Sequence, residues 1–99
     1  MRDLYNYIEE RINYNNNHSI ELSENNIDNE ILLEIQSHYY YELSIKNQNE
    51  MIIINKFDFE ENEEEYEILS INSLLFENEE ERLYEIIYNF IFNLINYIK

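Results

Sequence analysis

The chain has 99 residues and a mass of 12.3 kDa, enough for one hydrophobic core and no second one. Its 22 acidic and 6 basic side chains leave a formal net charge of −16, the wrong sign for a protein that grips nucleic-acid phosphates or an anionic membrane. Apolar residues at 44% and aromatics at 15% exclude simple disorder, and the absence of cysteine excludes disulfides, thiolate chemistry and cysteine-held zinc.

The alphabet is narrow: Gly, Pro, Ala, Val, Thr and Trp are missing as well. Abundant Ile, Asn, Tyr and Phe have AT-rich codons and point to a gene from an AT-rich genome, such as a mobile element. Base composition does not account for the charge. Lys codons are as AT-rich as Asn codons, yet the chain has 3 Lys against 17 Asn. Positive charge is avoided, or negative charge favoured. Without Gly, turns that need positive φ fall to Asn or Asp, and Asn15, Asn16, Asn17, Asn25, Asn26, Asn47 and Asn49 stand where turns are expected.

From the start, Met1 to Tyr14 shows no basic segment followed by an apolar one, so no signal peptide is expected. Leu4, Ile8 and Ile12 recur every four residues and predict a short amphipathic helix, with Tyr7, Arg11 and Tyr14 as a second stripe packing on the domain. His18, Ile20 and Leu22 alternate with Ser19, Glu21 and Ser23, before a polar loop over 24–29. Residues 27–37 fit two patterns: Ile31, Leu33 and Ile35 alternate as in a strand, while Ile27, Ile31 and Ile35 keep a helical spacing. The strand is preferred because a clearer one follows. Tyr39, Tyr41, Leu43 and Ile45 face one way there, with Tyr40, Glu42, Ser44 and Lys46 opposite.

Asn47-Gln48-Asn49 reads as a hairpin loop returning into a strand over 51–59, centred on Ile52, Ile53 and Ile54. The run from Glu60 to Glu65 then carries five carboxylates in six positions, and Tyr66 to Ile71 reads as a fourth strand. Asn78 is the expected N-cap of the last helix, with Glu81 completing a capping box. Leu83, Ile86, Ile87, Phe90, Ile91, Leu94, Ile95 and Ile98 then trace one wide apolar face. Asn89, Asn93 and Asn96 interrupt that stretch, so a membrane span is not expected. The fold expected is a single α+β domain over 1–99: an N-terminal helix, a four-stranded antiparallel sheet, and a long C-terminal helix packed on the sheet.

Catalytic motifs are absent. Without Gly there is no P-loop, dinucleotide fingerprint or nucleophile elbow, and neither His18 nor His38 belongs to a recognisable motif. A chain this short offers little room for a glycosidase cleft between paired carboxylates. The acidic run lacks the spacing of a calcium loop. No enzyme, metal or cofactor is expected.

What remains is the acidic surface. On an extended strand Glu63, Glu65 and Glu67 share one side at about 6.8 Å spacing, close to the scale of phosphates along a nucleic acid. Asp58, Glu60, Glu61, Glu63, Glu64, Glu65 and Glu67 are the expected contacts, with Glu77, Glu79, Glu80 and Glu81 as a second patch converging on the same end of the sheet. So many like charges repel one another and cost stability, which is understandable where a basic partner exploits the field. Arg and Lys lining a nucleic-acid groove are such a partner, and exposed Tyr40 and Tyr66 are candidate anchors.

A short N-terminal helix, an Asn-rich loop, an acidic antiparallel meander and a closing helix together resemble the small acidic anti-CRISPR proteins. That resemblance, in size, charge and layout, implies a DNA mimic that blocks an RNA-guided nuclease where its Arg residues read the PAM duplex. The expected partner is a basic nucleic-acid-binding protein, a CRISPR effector or another defence nuclease, met in the host cytoplasm, with neither nucleic acid nor membrane bound directly. An immunity protein or antitoxin for a basic toxin would use the same electrostatics. A self-associating interaction protein is the other alternative, with Tyr84, Tyr88 and Phe92 as a stripe meeting a second copy, unless those rings only widen the core face.

Overall fold

The structure is a computed structural model that describes residues 1–12, 19–25, 29–36, 40–59 and 64–97, apart from the Tyr97 side chain. Helix α1 spans Arg2–Ile12, strands β1 to β5 span Ser19–Asn25, Glu30–Gln36, Tyr40–Gln48, Met51–Asp58 and Tyr66–Asn72, and helix α2 spans Glu80–Tyr97. A 3-10 turn, Ser73–Phe76, joins β5 to α2. The fold is α+β as expected, but the antiparallel sheet has five strands rather than four, in the order β1-β2-β3-β4-β5. The additional strand is the alternating stretch at 19–25, which zips along β2 from Ser19↔Gln36 to Asn25↔Glu30. Residues 30–36, which also fit a helical spacing, are strand: every second side chain is buried, a period only a strand produces.

Directly paired residues in antiparallel strands share a face, so the register sorts the side chains of β1 to β4, while a register shift between Ile54 and Asn55 leaves Ile68 of β5 without a direct partner. The inner face reads as rows crossing the strands: Ile20–Ile35–Tyr41–Asp58, then Leu22–Leu33–Leu43–Lys56, then Glu24–Ile31–Ile45–Ile54–Leu69. Both helices pack there. Leu4, Ile8 and Ile12 of α1, and Leu83, Ile87, Ile91 and Ile95 of α2, join Ile31, Leu33, Leu43, Ile45 and Ile54 in one buried cluster. Full burial of each Leu or Ile contributes about 1.5–3 kcal/mol, so this layer holds the domain together. Both described helices thus lie on the inner face, and the outer-face side chains are half-buried or exposed except Ser44, which is buried.

The aromatic stripe of α2 serves the same layer. Tyr88 is only 8% exposed and donates its hydroxyl to the Arg11 carbonyl oxygen at 3.3 Å, while Tyr7 lies against Tyr84 and Tyr88 with ring centroids 5.9 and 6.3 Å apart. These rings widen the core face by joining the two helices. Ile86, expected on the apolar face, is exposed, and Ile98 lies outside the described residues.

Asn does stand in for Gly, though not always where expected. The β3–β4 hairpin turns on Asn49 and Glu50, with φ of 51° and 66°, and Gln48↔Met51 closes it. Two positive φ values fit a two-residue hairpin turn whose twist suits the strands. Glu50 is an unusual occupant, and its carbonyl oxygen is tied down by the Ser73 amide at 2.8 Å and hydroxyl at 2.7 Å. Asn47 and Asn25 belong to strands rather than turns; Asn15, Asn16, Asn17 and Asn26 lie outside the described residues. Asn78 is not the N-cap of α2: at φ 70° it takes the left-handed position before the helix, and the Glu79 carbonyl receives the first helical amides, from Arg82 and Leu83.

Candidate interaction surface

The carboxylates expected to form one patch are placed in several. Asp58 falls on the inner face, paired with Tyr41, and is only 8% exposed. The reason is parity: Ile52, Ile54, Lys56 and Asp58 alternate inward, so a strand that ends in Asp58 carries that carboxylate to the core side. Glu60, Glu61 and Glu63 lie outside the described residues, as do His18 and His38. Glu64 and Glu65 are exposed just before β5, and Glu67 is exposed on the outer face opposite Asn55.

Glu77, Glu79, Glu80 and Glu81 do not join them. β5 leads away from Glu65 for seven residues, about 20 Å, before the turn into α2 begins. Glu77 and Glu80 instead line a cleft with Asn47 and Ile52, at the β3–β4 hairpin end of the sheet. Glu80 and Glu81 also share a groove with Asp3, Glu10 and Arg11 of α1. The acidic start of α2 is favourable for its helix dipole and belongs to the helical layer.

A different set of carboxylates is brought together by the register. Glu21 pairs with Glu34, Glu34 with Glu42, and Glu42 with Phe57. Three glutamates thus lie in direct opposition on neighbouring strands about 4.8 Å apart, on the outer face. No Lys or Arg among the described residues pairs with any of the three. Arg2, Arg11 and Lys46 hold other acids: Arg2 Nη1 sits 2.8 Å from Glu24, Arg11 Nη1 3.5 Å from Glu10, and Lys46 Nζ 3.3 Å from Glu30. The Ser44 hydroxyl donates to the same Glu30 oxygen at 2.8 Å, so that corner of the outer face is neutralised.

The row has electrostatic consequences. Glu42 is half-buried, and lost hydration pushes its carboxyl above the usual range, helped by the charges of Glu34, Glu30 and Glu65. The Tyr40 hydroxyl donates to Glu34 Oε2 at 3.0 Å, and that bond, with the surrounding glutamates, makes the phenol harder to ionise. Tyr40 also stacks on Phe59 with centroids 4.3 Å apart, and Phe59 meets Phe57 edge-on at 4.8 Å. Acidic row and aromatic cluster are therefore neighbours.

Strung across strands, these oxygens form a line of negative charge rather than a cage. Among the described residues no group of three His, Cys, Asp or Glu converges as metal ligands do. Glu21, Glu34 and Glu42 were missed in sequence because they are 13 and 8 positions apart and in no run. The signal that could have found them is the register implied by Leu22, Leu33 and Leu43, each next to one of these glutamates. No described helix is long and apolar enough to cross a membrane. Set against models of known protein families, curated proteins and solved structures, the chain matches none of them.

Proposed function

We propose that the protein is an acidic nucleic-acid mimic of the anti-CRISPR kind, which occupies the basic DNA- or RNA-binding site of a host defence nuclease and blocks recognition there. One observation carries the reading: Glu21, Glu34 and Glu42 oppose one another with no cation among the described residues. Like charges in direct cross-strand opposition destabilise a sheet, and a basic ligand offsets that cost on binding. Net charge of −16 adds long-range attraction, which speeds encounter with a positive groove.

The test is displacement. A labelled target duplex is pre-bound to a CRISPR effector or another defence nuclease, and the protein is titrated in. Competitive release is expected, weakening steeply between roughly 50 and 200 mM salt, because both contacts depend on charge. Failure to release nucleic acid from a panel of such nucleases, or release indifferent to salt, overturns the reading.

A further inference from the structure

The open sheet face sets two kinds of group side by side. Glu21, Glu34 and Glu42 cross three strands, and the same row runs on into Phe57. Next to it stand Phe59, 39% exposed, and its stacking partner Tyr40. One side chain matches both kinds of group at once. A guanidinium is planar, lies on an aromatic face, and donates two parallel N–H bonds to a carboxylate; a lysine ammonium supplies charge without that shape.

The protein makes this combination within itself. Arg2 pairs with Glu24 while its guanidinium lies 5.2 Å from the Tyr5 ring centroid. Arg11 pairs with Glu10 and lies 3.4 Å from the centroid of Tyr7. Each of these arginines takes a glutamate and a tyrosine together. On the open face the same pair of acceptors stands with no arginine supplied by the described residues. A second copy of the chain is a poor occupant, since face-to-face contact would oppose the same carboxylates.

We propose that the open face of the sheet is the docking surface and that its occupant is an arginine-bearing protein surface, with guanidinium groups seated between Glu34, Glu42 and the rings of Tyr40, Phe57 and Phe59. The proposal rests on the reading of the protein as the ligand of a basic groove, and adds which face engages and which cation it selects.

The probes are a deca-arginine and a deca-lysine peptide, titrated calorimetrically into the full chain at one ionic strength. The arginine peptide is expected to bind about tenfold more tightly, with the gap narrowing to about twofold in Phe59→Ala. Glu34→Gln with Glu42→Gln should weaken the arginine peptide at least about tenfold, and Glu79→Gln, Glu80→Gln and Glu81→Gln together by about twofold or less. Replacing the sheet glutamates relieves repulsion, so that variant keeps its fold, as a thermal melt verifies. Equal affinity for the two peptides, or a loss in the helix variant as large as in the sheet variant, overturns the proposal. Displacement of nucleic acid abolished only by the helix variant would remove this face and leave the functional reading standing. Arginine binding on the sheet face without any displacement would do the reverse.

Discussion

The two faces of one sheet obey opposite rules. Along the inner face Leu22, Leu33 and Leu43 stand in a row across three strands, and each buries surface against its neighbours and the helices above. One residue along each strand, the outer face sets Glu21, Glu34 and Glu42 in the same register, where each repels the next. The backbone hydrogen bonds that align the leucines also align the carboxylates. Stability on one side is thus bound to repulsion on the other, and no slip of register removes the second without destroying the first. An acidic line of this kind persists because the apolar layer is strong enough to hold it.

The largest effect therefore belongs to the inner row. Leu43→Ala removes a fully buried side chain from the middle strand and should cost about 2–5 kcal/mol in urea unfolding, enough to threaten the native state of a small domain. An outer-row truncation that cost as much would break the comparison, since it would mean that the glutamates are structural.

Glu42→Gln should act in the opposite direction and stabilise the protein at pH 7 by about 0.5–1 kcal/mol, through loss of cross-strand repulsion. Its pH dependence sharpens the point. Burial first, then Glu34, Glu30 and Glu65, raise the carboxyl of Glu42 above its ordinary value in the folded state. The native protein therefore holds that proton over a range where the unfolded chain has released it. The stability it contributes is complete below the unfolded value, near 4.5, and is lost as pH rises through the folded one. Denaturation curves between pH 4 and 7 should show wild-type stability declining with pH more steeply than that of Glu42→Gln. Parallel pH profiles would remove the electrostatic account of the row.

Glu21→Lys is a smaller change, on the edge strand. It converts one repulsive pair, with Glu34, into an attractive one and should add about 0.5 kcal/mol. A loss of stability there would indicate that Glu21 is held by contacts the row does not explain.

How much of this was legible in the chain depends on how cleanly each strand separates its two faces. β3 was readable because Tyr41, Leu43 and Ile45 are apolar where Glu42, Ser44 and Lys46 are polar, and the structure buries the first three while leaving Glu42 and Lys46 half-buried, with Ser44 the one polar residue of the set that is buried as well. β4 was not, because Ile52, Ile53 and Ile54 are apolar on both faces and hide the parity that carries Asp58 inward. The alternation of 19–23 was visible, but its place as a fifth strand depends on pairing with β2, a tertiary fact. The acidic site suffered most from proximity in sequence. Glu60 to Glu65 drew attention as a run, whereas the opposed glutamates are neighbours only through register. The separation of Glu65 from Glu77 likewise follows from strand direction, which local composition does not encode.

Salt offers the least invasive probe. Screening acts on exposed like charges and leaves the apolar layer almost untouched, so added NaCl up to about 0.3 M should raise the melting temperature by a few degrees. That increment should shrink in the variant carrying Glu21→Gln, Glu34→Gln and Glu42→Gln together, since its row has no charge left to screen. The pairs Arg2–Glu24 and Lys46–Glu30 pull the other way, because salt weakens attraction as well as repulsion. With 22 acidic side chains against 6 basic ones, repulsion is the larger sum, which sets the expected sign. A melting temperature that fell with salt would mean that paired charges dominate the surface, and the contrast between the two faces would then not be electrostatic in origin.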